Sequence, residues 1–211
     1  NSIIGSYAAE AYPCLPPISI QTGPMQTYNR QGNEISPLKL EIEFMCAINS
    51  IVRSCALRVE LFILCRKDTK YLPNILSNGT QPKMFNTGSP TGIAGYNGFT
   101  TDGMYRYNLN EFTIIKRKSF ILAGNVGLPN QDTTAGNSPN LLPGCVKRYK
   151  FNIPCPKTLK YDEAVSTTAT FPFNFAPFLL MGYSKIDGSA PDTTNQSIVA
   201  SWNTALTYKD A

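Results

Sequence analysis

Residues 38–48 place an apolar side chain at every second position, and this period of two constrains the fold more than any other feature of the chain. Such alternation is the pattern of a β-strand that packs one face on a core and leaves the other in solvent. Residues 57–65 repeat it, with charged residues at the first two intervening positions. Phe62 and Leu64 then interrupt the polar face, so we expect part of that face to be covered as well.

Six further segments are typical of strands, which gives eight candidate strands in all. They are residues 16–21, 34–49, 55–65, 109–116, 118–123, 147–153, 175–185 and 196–209. Long polar segments separate them, the longest from about residue 66 to 104, and loops of such length are usually functional. No segment of useful length has the period of an amphipathic helix. We therefore predict a single all-β domain over residues 1–211, an antiparallel two-sheet sandwich of jelly-roll or immunoglobulin-like type with long loops.

The absence of His from all 211 residues excludes several classes of site. Ser-His-Asp and Cys-His catalysis and the usual His-ligated metal sites all need that side chain. Glu41 and Glu43 are about 7 Å apart on one strand face, as glycosidase carboxylates can be, but nothing else marks a pocket. We expect no enzymatic activity, no cofactor and no metal site. Since no apolar run is long enough to span a bilayer, we also expect no membrane partner.

The six Cys residues do not form a pattern that predicts a metal or redox site. No C-x-x-C pair occurs, and a chain of this length does not need disulfides to stabilise its core. We predict that most of them are buried free thiols. They are Cys14, Cys46, Cys55, Cys65, Cys145 and Cys155.

Several short segments follow, in chain order, the pattern of one known family. Residues 20–23 read I-Q-T-G and residues 30–35 read R-Q-G-N-E-I; residues 59–68 are an apolar strand followed by a charged turn. Residues 108–122 read N-L-N-E-F-T-I-I-K-R-K-S-F-I-L, and residues 206–211 end the chain with L-T-Y-K-D-A. In this order the segments resemble the capsid proteins of small circular single-stranded DNA viruses that encode a replication initiator.

This resemblance implies a fold and a function. Such capsid proteins share a single jelly roll with satellite tobacco necrosis virus, in which strands B to I form the two sheets BIDG and CHEF. The eight candidate strands take these letters in chain order. The implied function is self-assembly into an icosahedral shell of about 60 copies around a circular single-stranded DNA genome. The implied location is the virion, with assembly inside the host cell, in the nucleus. A basic arm typical of the family is expected upstream of Asn1, and no receptor is indicated.

The resemblance also implies which residues contact the genome. If the BIDG sheet faces the particle interior, Arg58, Arg148 and Lys150 lie opposite the apolar face of strands D and G. We predict that these three bind phosphates without base specificity. The alternative for each cation is simple solvation or pairing with a nearby acid. In the same assignment, strand C places Lys39, Glu41 and Glu43 on the other sheet, whose outer face is then net acidic. Residues 116–118 (K-R-K) are expected in an exposed turn between strands E and F.

A carbohydrate-binding β-sandwich of the lectin type is the rival function. It needs exposed aromatic side chains and acidic loop ligands around a cleft, and the sequence shows no such cluster. A cupin-like enzyme is a remote third possibility because there is no His. The interpretation as a sandwich predicts a core that includes Leu40, Ile42, Phe44, Val59, Leu61, Phe151 and Trp202.

Overall fold

The computed structural model of the protein describes residues 2–4, 12–20, 29–48, 56–68, 84–86, 93–94, 98, 103–123, 144–162, 170–190 and 198–210. Over these ranges the chain is all-β. Its strands pair into antiparallel sheets, and no α-helix is found in this part of the chain. The predicted fold class is therefore confirmed at the level of a β-sandwich.

One sheet, called sheet A here, is built around the longest strand. Its strands are β1 (Ser2–Ile4), β3 (Glu34–Ile48), β9 (Val146–Ile153), β10 (Leu159–Lys160) and β12 (Ile198–Asp210). Strand β12 lies between β1 and β3, and β9 and β10 follow one another along the opposite edge of β3. The pairing of β12 with β3 extends over almost the whole of both strands, with one irregularity between Thr207 and Tyr208.

The second sheet, called sheet B, contains four strands in the order β2-β11-β4-β8. These are β2 (Tyr12–Pro13), β4 (Leu57–Arg66), β8 (Phe112–Leu122) and β11 (Phe178–Lys185). The pairing of β8 with β4 is irregular between Ile63 and Leu64, where β8 carries an extra residue. Sheet B lies against sheet A, and aromatic contacts join them at both sides of the sandwich. The ring centroids of Tyr12 and Trp202 are 4.4 Å apart, and those of Phe120 and Tyr149 are 4.9 Å apart.

The main hydrophobic core lies between the two sheets. Every second residue of β3 from Leu40 to Ile48 is buried there, and alternate residues of β4 meet them from sheet B. This is the burial expected when the apolar face of each strand leaves water. Five of the predicted core residues are fully buried, namely Leu40, Ile42, Phe44, Val59 and Leu61. Phe151 and Trp202 also pack against this core, but they are only partly buried.

A third, small sheet covers the outer face of sheet B. It consists of β5 (Phe85–Asn86), β6 (Ile93–Ala94) and β7 (Arg106–Tyr107), in the order β6-β5-β7. We call this sheet, together with Met84 and Tyr105, the cover layer. Its buried residues Met84 and Phe85 form a second hydrophobic core with residues of sheet B, among them Phe62, Leu64, Phe112, Phe178 and Leu180. The expectation that the second face of β4, which carries Phe62 and Leu64, is partly covered is confirmed.

The predicted division of strands between the sheets is wrong. Residues 34–49 were assigned to the CHEF sheet, but β3 pairs with β12 and β9. Residues 55–65 were assigned to the BIDG sheet, but β4 pairs with β11 and β8. The assignment also left out β1 and β2, which are only three and two residues long. Strands this short carry no measurable periodicity.

Two further strand predictions are also wrong. The segments 109–116 and 118–123 are one continuous strand, β8, and residues 116–118 lie within it rather than in a turn. The extended backbone continues because β8 pairs with β4 on both sides of this basic triplet. Residues 16–19 do not form a strand; Ile20 makes only an isolated parallel bridge with Arg30. Predicted strands at 147–153, 175–185 and 196–209 correspond to β9, β11 and β12.

Arg30 attaches the chain before β3 to the sandwich. Its side chain is fully buried, and its guanidinium lies 4.2 Å from the centroid of the Tyr161 ring. It donates from Nη1 to Asn33 Oδ1 at 3.2 Å and to the carbonyl oxygen of Gly32. Burial lowers the pKa of Arg30 and raises that of Tyr161. The ring face supplies a favourable electrostatic surface for a cation that water no longer solvates.

We predict that the cover layer is required for a soluble subunit. Replacing residues 67–111 with a short turn exposes Phe62, Leu64, Phe178 and Leu180, at a cost of roughly 1.5–3 kcal/mol for each side chain. The expected result is a lower denaturation midpoint and increased binding of a hydrophobic dye. Shortening only residues 69–83 is the matched control, because the cover layer is retained. Equal stability of the two variants would contradict the burial seen here.

The cysteines yield a second prediction. Five of them, Cys14, Cys46, Cys65, Cys145 and Cys155, are free thiols, while Cys55 lies outside the described residues. Burial raises the pKa of Cys46 to about 12 and that of Cys155 to about 11. Because the thiolate is the reactive form, the native protein should react slowly with alkylating reagents at pH 8. All five should titrate after denaturation without reductant; a smaller number would indicate a disulfide.

Candidate nucleic-acid interface

The three residues predicted to bind nucleic acid do not lie in one sheet. Arg148 and Lys150 are on β9 of sheet A, whereas Arg58 is on β4 of sheet B. Each of the three does lie opposite the apolar face of its own strand. The residues next to them in sequence all face or pack against the main core, namely Leu57, Val59, Tyr149 and Phe151. The structure therefore brings Arg148 and Lys150 together and places Arg58 on the opposite outer face of the sandwich.

The outer face of sheet A carries a shallow depression of about 620 Å³. It crosses β9, β3 and β12 in two rows of paired residues. One row contains Arg148, Met45 and Ser201, and the next contains Lys150, Glu43 and Asn203. The depression thus combines two cations, a carboxylate, an amide and a hydroxyl around the side chain of Met45.

Glu41 and Glu43 neutralise most of the charge of Lys150. The Nζ atom of Lys150 is 3.0 Å from Glu41 Oε1 and 3.3 Å from Glu43 Oε1, and Lys39 Nζ is 2.9 Å from the same Glu41 oxygen. Hydrogen bonds lower the pKa of Glu41, the one from Lys39 having the larger effect and the one from Lys150 the smaller. The pKa of Lys150 is raised by its hydrogen bonds to Glu41, which has the larger effect, and to Glu43. The predicted separation into a basic sheet and an acidic sheet is wrong, because these charges alternate on one face.

Arg148, the other cation of this depression, has no such compensation among the described residues. Its side chain is exposed, and its cross-strand neighbour on β3 is Met45. Among the residues that the structure describes, no carboxylate forms an ion pair with Arg148. A guanidinium with free donors in an open depression can bind phosphate oxygens through two parallel hydrogen bonds.

Arg58 has a different environment, which sequence analysis did not predict. Glu60 is buried, with 2% of its side chain exposed, and it accepts hydrogen bonds from two arginines. Arg58 Nη2 is 2.8 Å from Oε1, and Arg117 Nη2 is 2.9 Å from Oε2; the Nε atoms of both arginines also donate to these oxygens. We call these three residues the Arg-Glu-Arg cluster.

The other two residues of the basic triplet lie at the edge of the sandwich. Lys116 and Lys118 are exposed and are paired in register with Ile63 and Leu61 of β4. Lys118 Nζ lies 5.2 Å from the centroid of the Tyr149 ring, across from β8 to β9. The triplet is therefore divided by strand alternation, with Arg117 on the outer face of sheet B and its two neighbours on the side facing sheet A.

Comparisons with known proteins do not identify the chain. No protein-family model matches the sequence, and the search of curated proteins gave no match. The part of the chain that the structure describes contains no helix of the length and apolarity needed to cross a membrane. The interpretation of the two charged faces therefore depends on their geometry and on the segments quoted above.

We predict that the ion pairs on sheet A can be measured directly. Replacing Lys150 by Gln removes one of two hydrogen bonds to Glu41, so the pKa of Glu41 should rise towards its ordinary value. A carboxylate whose pKa is lowered by folding stabilises the folded state at pH values above its ordinary pKa. The variant should therefore lose stability at neutral pH but not in acid. Carboxylate NMR titration measures the pKa. The control is Lys157→Gln, outside these pairs, and an unchanged Glu41 pKa in Lys150→Gln would disprove the pairing.

Proposed function

We propose that the chain is a viral capsid subunit with a single jelly-roll fold. The strand order is the observation that carries this proposal. When β1, β2, β3, β4, β8, β9, β11 and β12 take the letters B to I, sheet A reads B-I-D-G and sheet B reads C-H-E-F. An arbitrary pairing of eight strands rarely gives this order, in which six of the seven connections cross from one sheet to the other. The short β10 and the cover layer are additions to this pattern.

The proposed subunit forms a closed icosahedral shell around a nucleic-acid genome, most simply circular single-stranded DNA. The resemblance of residues 20–23, 30–35, 59–68, 108–122 and 206–211 to capsid proteins of such viruses supports this choice. The two outer faces of the sandwich differ in a way that gives the subunit an orientation. Sheet B carries the cover layer, whereas the open depression with Arg148 is on sheet A. We place sheet A towards the genome.

The site residues have unequal roles in this proposal. Arg148 is the principal phosphate contact, because its charge is not paired on the described surface. Lys150 makes a weaker contact, since a phosphate must compete with Glu41 and Glu43 for its ammonium group. Arg58 is not assigned to the genome, because it lies on the opposite face and pairs with Glu60. The predicted three-residue contact is therefore reduced to the two residues of β9.

Assembly is tested by the mass and appearance of the purified protein. A shell of about 60 copies has a mass in the megadalton range, which native mass spectrometry distinguishes from a monomer or small oligomer. Electron microscopy should show uniform closed particles. A lectin-like module would instead give a small oligomer, and that result under conditions that span pH and ionic strength would contradict the capsid proposal.

We predict that Arg148→Gln weakens binding of single-stranded oligonucleotides and lowers its salt dependence. The slope of log affinity against log salt should decrease in magnitude by about 0.7 for one lost phosphate contact. Lys150→Gln should have a smaller effect, because its charge is already shared with two carboxylates. Fluorescence anisotropy on dissociated subunits measures both, and the effect should not depend on base sequence.

The matched control for this prediction is Lys157→Gln, which removes the same charge from the exposed connection between β9 and β10. Equal slopes for Arg148→Gln and Lys157→Gln would mean that only net charge matters. In that case the depression on sheet A would not be the contact site.

A further inference from the structure

The outer face of sheet B has a second cationic surface, at the margin of the cover layer. It is formed by the Arg-Glu-Arg cluster, in which one carboxylate faces two guanidiniums. In the described part of sheet B and the cover layer, the only acid paired with either arginine is Glu60. Within these described residues, the cluster therefore carries one positive charge that no second carboxylate balances.

Both arginines are open to solvent although their shared carboxylate is not. The exposed fraction is 37% for the side chain of Arg58 and 39% for that of Arg117, against 2% for Glu60. Each guanidinium has five N–H donors and uses its Nε and Nη2 atoms on Glu60. Each guanidinium therefore keeps its Nη1 donors outside these hydrogen bonds, and the shared carboxylate holds the two side chains near one another.

The residues beside Glu60 in the two neighbouring strands are small. Its cross-strand neighbours are Gly182 on β11 and Ser119 on β8, the two smallest side chains in their strands. Large residues at these positions would fill the surface between the arginines. With Gly and Ser there, both guanidiniums reach the carboxylate from opposite sides and keep their outer edges in water.

The cover layer forms one wall of this surface. An ideal Cβ atom at Gly103 would lie 3.3 Å from Arg58 Nη2, so the chain passes close to that guanidinium. The Tyr107 ring lies beside Arg117, with 5.3 Å between its centroid and the guanidinium carbon. Burial raises the pKa of Tyr107 further above neutral pH. The arginine side chains are held in place by these contacts and by Glu60, so a ligand would find preorganised donors.

We propose that Arg58 and Arg117 bind a tetrahedral oxyanion, such as inorganic phosphate or sulfate, on the outer face of sheet B. Tetrahedral oxyanions match guanidinium groups because each pair of oxygens accepts two parallel hydrogen bonds. Glu60 has two opposing effects: it orients the arginines, and its charge weakens the attraction for a second anion. This site lies on the face opposite the depression with Arg148 and does not depend on the capsid proposal.

The proposal is tested by titrating the protein with inorganic phosphate and with sulfate at constant ionic strength, using chloride as the balancing anion. Backbone NMR shifts or calorimetry on dissociated subunits measure the affinity. Arg117→Gln should weaken binding at least tenfold. Glu60→Gln, which retains the shape of the side chain but removes its charge, should strengthen binding several-fold. Lys116→Gln is the matched control, because it removes a charge from the adjacent residue outside the cluster and should not change the affinity.

The Glu60→Gln variant separates a binding site from a purely structural cluster. A structural role predicts lower stability without tighter anion binding, and that result would overturn the proposal. Equal weakening in Lys116→Gln and Arg117→Gln would also overturn it, because only net charge would then be responsible. If Arg117→Gln does not fold, Arg117→Lys keeps the charge but loses the planar pair of donors. Binding by that variant should still be several-fold weaker, and wild-type affinity would refute the role of the guanidinium.

Discussion

Strand β4 is buried on both of its faces, and the layers of the protein are arranged to satisfy this constraint. One face meets sheet A in the main core, and part of the other meets the cover layer in the second core. A strand with apolar side chains on both faces is stable only between two other layers. The long connection between β4 and β8 therefore has a structural role, because its described part covers the outer face of β4. The third layer follows from the residues of β4.

Glu60 is the exception on this otherwise apolar strand. A buried carboxylate is costly unless it is paired and hydrogen-bonded, and here two guanidiniums supply four donors to its two oxygens. Arg58 comes from the same strand and Arg117 from the next, so the cluster joins β4 to β8 through side chains as well as through backbone pairing. Its position at the margin of the cover layer marks where the apolar part of this face ends.

The sequence predicted which face of a strand is buried better than it predicted which strands lie side by side. Period-two alternation correctly separated the buried side of β3 from the side of Glu41 and Glu43 over residues 40–48, because each position reports its own burial. Leu38, at the start of the pattern, is exposed. The side-chain partners of a residue, in contrast, can lie far away in sequence. Lys150 pairs with Glu43, and Arg117 pairs with Glu60, which is 57 residues away. Counting strands in order also failed where β1 and β2 were too short to show a period. The assignment therefore grouped Arg58 with the two cations of β9, which lie in the other sheet, although its orientation relative to the core was correct.

The described parts of β8 and β9 each pair with a strand on one side only, so the sandwich has two open edges beside one another. Unpaired backbone donors and acceptors along such edges can add strands from another molecule and start aggregation. Lys116 and Lys118 on β8 and Lys147 on β9 place cationic residues along this side. Two copies approaching edge to edge would bring these like charges together. The addition of a second copy edge to edge is thereby disfavoured.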